Sequence, residues 1–425
     1  MHTRGPGGHR DSNIHSDNNL ICICGKAYRP STPQPIRCSC GNKIGTHKPL
    51  LGRPDAFAQC RGNVGFITPC YMEIGGTETW HQSLLPRLRG VNGFVSLDKA
   101  MARGDFSKLA CKYDTGFDAA RHLARHSAVL VVWNVGHRLG DIVAGTNCKV
   151  IGVSHGGPAC GWNHQGIDQQ MPWLDHVVTI CNGAAAEFTG SVPVSVIPNA
   201  PDPNRIKPTQ TLPKPTRKLA VSISRFSTEK RLSLLADVFE KHLPDWELWL
   251  VGAKSGIGSA VVQERDNVRI FEATNTPGDY YAIADCYVQA SENEGYGLSA
   301  AEALLAGLPV VSTPVGLFAD RPQLATIVEH DAELSQWAEA IRQAERKPID
   351  DLERIDDWVA AWQSLIDSML PDGHRKASIC RSNACGRYNS ANDTCDIITA
   401  TGRPGQVGYL IGHPETHCVA DNPLF

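Results

Sequence analysis

The chain has 425 residues, too many for one ordinary core, and its 42% hydrophobic and 20% charged content fits a globular protein of two large domains with smaller attachments. With 41 Lys and Arg against 44 Asp and Glu, the net charge of -3 offers no global attraction to nucleic acid or to an anionic membrane. The longest apolar runs, such as Ala128–Trp133, fall well short of the ~20 residues of a membrane-spanning helix, and the Met1–Pro6 start lacks the apolar core of a signal peptide, so a cytoplasmic chain is expected.

Residues 1–20, rich in Gly, His, Asn and Asp, read as a disordered tail. Residues 21–60 follow as a cysteine-rich segment. There Cys22-x-Cys24-Gly25 and Cys38-x-Cys40-Gly41 repeat one unit. Two glycine-supported knuckles facing each other supply four thiolates in tetrahedral array, which suits structural zinc. The commonest knuckle has two residues between its cysteines rather than one, and free thiols in a flexible arm are the alternative.

From Asn63 to Met369, short β-branched runs alternate with helical stretches, the pattern of βαβ units whose parallel sheets are covered on both faces. The expected fold class is α/β, with two Rossmann-like lobes. In the first lobe, residues 61–205, strands are expected at Val64–Thr68, Val129–Trp133, Val150–Val153, Val177–Ile180 and Val194–Ile197, with helices near Gly76–Arg87, Asp118–Arg125 and Gly183–Phe188. Six prolines between Pro198 and Pro215 then mark the interdomain linker, because they sustain neither a helix nor a central strand. In the second lobe, residues 206–350, strands fall at Leu219–Ser224, Glu247–Val251, Val268–Phe271, Tyr287–Gln289 and Val310–Ser312, with helices at Thr228–Lys241 and Ser299–Ala306.

Residues 351–371 form a last helix, over Leu352–Met369. Ile355, Trp358, Val359, Trp362, Leu365 and Ile366 recur on it at helical spacing, an apolar stripe that needs a surface to cover. Residues 376–425 form a second cysteine-rich module with Cys380, Cys385, Cys395 and Cys418, and with His413 and His417 as substitute ligands. Its apolar content is too small for a core of its own, so either a structural zinc staples it or it is loose. The remaining cysteines are scattered and read as small buried apolar residues.

The chemistry concentrates in Ser291–Ser312. Gly295 and Gly297 let the backbone approach a ligand closely and lead into a helix that starts near Ser299 and stops at Gly307-Leu308-Pro309. Backbone N–H groups and the dipole at such a start make a phosphate site. Glu294 precedes it and Glu302 lies one turn inside. Read locally, Ser299 and Glu302 form a capping box, in which Glu302 only satisfies free helix donors.

The whole string resembles the E-x7-E motif of the large family of retaining GT-B glycosyltransferases (glycosyl transferases group 1, family 4-like). There Glu, Gly, an aromatic, Gly and Leu precede a helix of the form Glu-Ala-x-x-x-Gly-x-Pro-Val-Val. The resemblance implies that Glu294 contacts hydroxyls of the donor sugar, that the backbone of Gly295, Tyr296, Gly297 and Leu298 holds the diphosphate, and that Glu302 bonds the ribose. A second match is Val221–Leu232. Its Arg225 and Lys230 would face the leaving nucleoside diphosphate, whose growing charge two fixed cations stabilise, although both also read as solvated surface cations.

In the first lobe Glu73-Ile74-Gly75-Gly76-Thr77-Glu78 resembles the family's Gly-Gly loop beneath the donor, and His155 stands where the family often places a histidine near the transferred sugar, though a structural role in its loop is an equal reading. Asn199, in Ile197-Pro198-Asn199, matches the lead into the linker. The family's paired glycines are replaced by Val315-Gly316-Leu317, which puts donor contacts from that loop in doubt.

The implied activity is a hexosyltransferase-like glycosyltransferase with a nucleotide-diphosphate sugar as donor and retained anomeric configuration. No Asp-x-Asp occurs in the chain, so no catalytic metal of the GT-A kind is expected. The acceptor stays open among a glycan, a lipid-linked intermediate, a protein and a small molecule, with the neighbourhood of Trp80, His81, His155 and Trp162 as its expected place. No nucleic-acid partner is expected, and peripheral membrane contact stays open. A nucleotide-sugar epimerase on the same fold and a degenerate transferase core acting as a zinc-stabilised adaptor are the competing readings.

Overall fold

β-branched runs that are buried from end to end become the inner strands of two parallel sheets in the computed structural model. It describes residues 63–72, 74–102, 113–157, 161–188, 190–253 and 262–370, together with short strand pairs near either end. The first such pair is β1 (Leu20–Ile21) with β2 (Ala27–Tyr28). Cys22, Cys24, Cys38 and Cys40, and likewise Cys380, Cys385 and Cys418, lie outside the described residues, as does Glu73.

The first lobe runs β3 (Val64–Thr68), α1 (Gly76–Leu84), β4 (Val91–Ser96), β5 (Tyr113–Thr115), α2 (Phe117–Arg125), β6 (Val129–Trp133), α3 (Arg138–Val143), β7 (Lys149–Ser154), α4 (Gly161–Gln170), β8 (His176–Thr179), α5 (Asn182–Ala185) and β9 (Val194–Val196). Its seven strands lie in the order β5-β4-β3-β6-β7-β8-β9, every neighbouring pair parallel.

The expected strands appear within a residue or two, but β4 and β5 are additional. β4 escapes the periodicity because Asn92 and Gly93 interrupt it. Asn92 is buried all the same, since its amide donates to the His126 carbonyl at 2.8 Å.

The second lobe runs β10 (Lys218–Ile223), α6 (Leu232–His242), β11 (Trp246–Val251), β12 (Val268–Phe271), α7 (Gly278–Tyr281), β13 (Cys286–Gln289), α8 (Leu298–Leu305), β14 (Val310–Ser312), α9 (Leu317–Asp320), β15 (Thr326–Ile327) and α10 (Leu334–Arg342). The six strands lie in the order β12-β11-β10-β13-β14-β15, again all parallel. The helix expected over Thr228–Lys241 is broken. Residues 228–230 form a 3-10 turn, Arg231 adopts a left-handed conformation with φ of 51°, and α6 starts only at Leu232. Val328, just past β15, shares a core with α10, whose Trp337 is fully buried against α6.

The proline-rich connection is fastened rather than loose. Asp202 pairs with Arg87 of the first lobe at 2.9 Å, and the carboxylate of Asp279 on α7 accepts bonds from the backbone and side chains of both Thr209 and Gln210. Those bonds hold the Asp279 carboxyl down at about 2, although burial alone acts to raise it.

After α10 the chain returns to the first lobe as α11 (Ile355–Met369). Trp358, Trp362 and Ile366 enter the same core as Phe66, Trp80 and Phe94, and Arg89 of the first lobe pairs with Asp367 at 2.9 Å. The stripe read from the sequence thus covers one face of the first sheet. Beyond it lie only β16 (Tyr388–Asn389) and β17 (Thr394–Cys395) among the described residues, where Cys395 is seen as backbone alone. Among the described residues no set of three or more His, Cys, Asp or Glu side chains is grouped to hold a metal, and no helix is long and apolar enough to cross a membrane.

Candidate active site

The residues singled out in the second lobe all follow the carboxyl ends of its central strands. β10 has β11 on one side and β13 on the other, so chain order reverses between β10 and β13. The crevice outside such a reversal is where open parallel sheets bind ligands. The loop after β10 carries Arg225 and Lys230, and the loop after β13 carries Glu294 to Leu298.

The two loops are sewn together. Glu292 N–H donates to the Glu229 carbonyl at 2.7 Å, and the Lys230 ammonium bonds the Glu294 carboxylate at 2.8 Å. Lys230 reaches that position because the left-handed Arg231 separates its 3-10 turn from α6. The same Glu294 oxygen accepts from Ser291 Oγ at 2.8 Å. Glu294 therefore has an ionic partner close by, which the sequence alone did not reveal. Arg225 is exposed and has no ion pair among the described residues, while its charge acts on Glu78 across the cleft and on Glu229 beside it.

Gly297 caps α8 in the left-handed region, with φ of 88°, and so turns the chain sharply into the helix. α8 starts four residues after Glu294, the partner of Lys230, and the N–H groups of a helix start attract a phosphate. Tyr296 points inward, and its hydroxyl donates to Glu353 at 2.5 Å, tying the loop to the approach of α11.

The capping-box reading of Ser299 and Glu302 is not borne out. No side chain caps α8, and Glu302 lies beyond the first turn, 2% exposed. Its carboxylate instead bonds Arg205 Nε at 2.5 Å. Burial raises the Glu302 carboxyl above its usual range, and Arg205 acts against that rise.

The first lobe meets these loops directly. A Cβ on Gly157 would stand 2.2 Å from the Glu294 carbonyl oxygen, and one on Gly295 would stand 2.1 Å from the His155 carbonyl oxygen. Only glycine permits that approach. His155 follows β7 and lies edge-on to Trp80 and Trp133, with ring centroids 5.0 and 5.9 Å away. Its Nε2 is buried without a hydrogen-bond partner, and burial, then His81, lower its pKa to about 3.

Gly75 and Gly76 open α1, where the Glu78 carboxylate folds back to accept the Met72 N–H at 3.0 Å. Burial raises the Glu78 carboxyl. Trp80 and His81, expected near the acceptor, are instead core residues, each 2% exposed, while the Trp162 side chain lies outside the described residues.

Residues 204–357 match the family model described as Glycosyl transferases group 1. The second lobe and its connection resemble that family. An uncharacterized glycosyltransferase of Haemophilus influenzae is 27% identical over 165 residues, which is 37% of this chain and 45% of that protein. The lipopolysaccharide core biosynthesis mannosyltransferase LpsB of Rhizobium meliloti is 30% identical over 169 residues, 35% of this chain and 47% of its own length. The chain thus spans about half the length of the curated relatives it matches. Among solved structures, HepE of Anabaena in complex with UDP and glucose superposes with a TM-score of 0.58 at 15% identity, over 72% of this chain and 100% of that one. This likeness establishes the two-lobed GT-B-like fold.

Two residues that bond the motif carboxylates went unread in the sequence: Ser291 and Arg205. Ser291 stood three positions before Glu294 and was legible as a partner at that spacing. Arg205 gave no signal, because an arginine in a proline-rich connection looks like any solvated cation.

Proposed function

We propose that the chain transfers a glycosyl group from a nucleotide-diphosphate sugar to an acceptor hydroxyl, with retention of configuration and without a catalytic metal. The observation that carries this reading is the Lys230–Glu294 ion pair at the start of α8, opposite His155 and Gly157. A lysine neutralised by a carboxylate at a phosphate-binding helix start is an exchange site. When a diphosphate takes the lysine, the carboxylate is released toward the sugar beside it.

The family match over the second lobe and the capture of HepE with UDP and glucose support a nucleotide sugar as donor and make UDP-sugars the first to test. In this reading Arg225, Lys230 and the N–H groups of Gly295 to Leu298 take up the charge that builds on the leaving diphosphate as its bond to the anomeric carbon breaks. Glu294 bonds the donor sugar's hydroxyls and Glu302 the ribose. His155, neutral and with Nε2 unpaired, offers one further bond to the sugar. Gly75 and Gly76 lie beneath the donor. The eight clustered cysteines hold structural zinc, and elemental analysis of the purified protein tests that part: a folded chain without zinc removes it.

The activity is tested with a panel of nucleotide sugars, read by thermal stabilisation and by product analysis. Glu294→Gln should lower transfer by on the order of 100-fold or more while nucleoside diphosphate binds as tightly or more so, because Lys230 loses its competitor. Lys230→Ala should weaken diphosphate binding by about tenfold or more. Full transfer by both variants, or an epimerised sugar as the only product, would overturn the assignment.

A further inference from the structure

Glu302 is almost sealed from solvent, and its two oxygens are treated differently. Oε1 accepts from Arg205 Nε at 2.5 Å. Oε2 lies 3.3 Å from the Tyr281 hydroxyl, but that hydroxyl has a single proton and a closer acceptor in the Ser299 carbonyl at 2.9 Å. Oε2 thus shares the single Tyr281 proton with a backbone carbonyl and is only partly satisfied. A buried carboxylate oxygen in that condition is costly, and a ligand hydroxyl is the group that relieves it.

Arg205 is itself held in place. Its N–H donates to the Asp202 carbonyl at 2.9 Å, and its carbonyl accepts from Gly278 N–H at 3.1 Å. The connection sits so close to α7 that a Cβ on Gly278 would stand 2.6 Å from the Ile206 carbonyl. Asp202 is turned toward Arg87, which pairs with it at 2.9 Å, leaving the Arg205 guanidinium to Glu302.

We propose that Arg205 is a positioning residue: by occupying Oε1 it fixes the Glu302 carboxylate with Oε2 open to a ribose hydroxyl, so that the interdomain connection makes the site selective for ribonucleotides over deoxynucleotides. The inference rests on the nucleotide-sugar reading above. It concerns how the ribose is selected rather than whether a nucleotide binds, and the two are separable by experiment.

Calorimetric titration of the full-length protein with UDP, GDP and ADP first identifies the tightest binder, which is then compared with its 2′-deoxy and 3′-deoxy forms. The wild type should prefer the ribonucleotide over at least one deoxy form by about tenfold or more, the worth of a hydrogen bond to a charged group. Arg205→Gln should erase that preference, Glu302→Gln should erase it equally, and the double variant should lose nothing more, as expected for residues acting through one contact. Arg205→Lys should keep part of it.

An Arg205→Gln protein that binds ribonucleotide and deoxynucleotide more weakly by the same factor, with the preference intact, overturns the proposal, since a purely structural role predicts that outcome. Should Arg205→Gln fail to fold, Arg205→Lys decides, and an undiminished preference there overturns the proposal as well. If the wild type binds none of the three nucleotides, the functional reading itself falls and this inference falls with it.

Discussion

His81 and His155 are two imidazoles kept from water on the first lobe's inner side. His81 donates from Nδ1 to the Thr77 carbonyl at 2.8 Å, and burial lowers its pKa to about 3. In an unfolded chain the same ring titrates near 6.5. Below that pH the unfolded state binds protons the folded state refuses, so their contribution to stability is complete above 6.5 and is lost as the pH falls toward 3. The urea midpoint should therefore drop between pH 7.5 and pH 5. A His81→Gln/His155→Gln double variant should show a flatter dependence over that range, and an identical slope would show that other groups govern it. Glu294 and Glu302 show how unevenly sequence speaks at this scale. Both stand out in the motif, yet the cation each one faces, Lys230 or Arg205, was fixed only by folding.

Among elements, the loops after β7 and β13 depend on each other's lack of side chains. Gly157→Ala places a methyl group against the Glu294 carbonyl oxygen, and neither backbone can yield without moving its strand end. The variant should keep its thermal midpoint within a few degrees and still bind nucleoside diphosphate on the second lobe. Transfer, measured at saturating donor, should fall by on the order of 100-fold, since a displacement of about 1 Å at a reacting centre costs that much. Unchanged transfer would mean that the lobes work in a more open arrangement. The glycines themselves were legible in the sequence as permissive backbone. Which chain each one admits was not, because the approach joins loops of different sheets. The break at Arg231 was hidden for a similar reason: the residues on both sides favour helix, and the pairing of Lys230 with Glu294 accompanies a left-handed turn that local propensity disfavours.

For the whole molecule, α11 decides whether the lobes act as one body. It follows the second lobe in sequence, yet Trp362 is fully buried in the first lobe's core, 5.2 Å from Trp80. Trp362→Ala should cost about 3–5 kcal/mol of stability, measured by denaturant unfolding, and the loss should appear in the transition of the first lobe. A loss under about 1 kcal/mol would mean that the helix rests on the surface without supporting it. The sequence by itself determined the alternation of strands and helices and the two-sheet class, and it singled out the segment around the start of α8. Strands buried on both faces and a motif around a helix start are written in consecutive residues. Tertiary structure alone decided that β10 and β13 are neighbours, that residues 64 and 97 positions apart become ion pairs, and that α11 crosses back to the first lobe. Those outcomes depend on the order of strands in a sheet, which no local preference encodes, because each is set by the burial of a whole face at once.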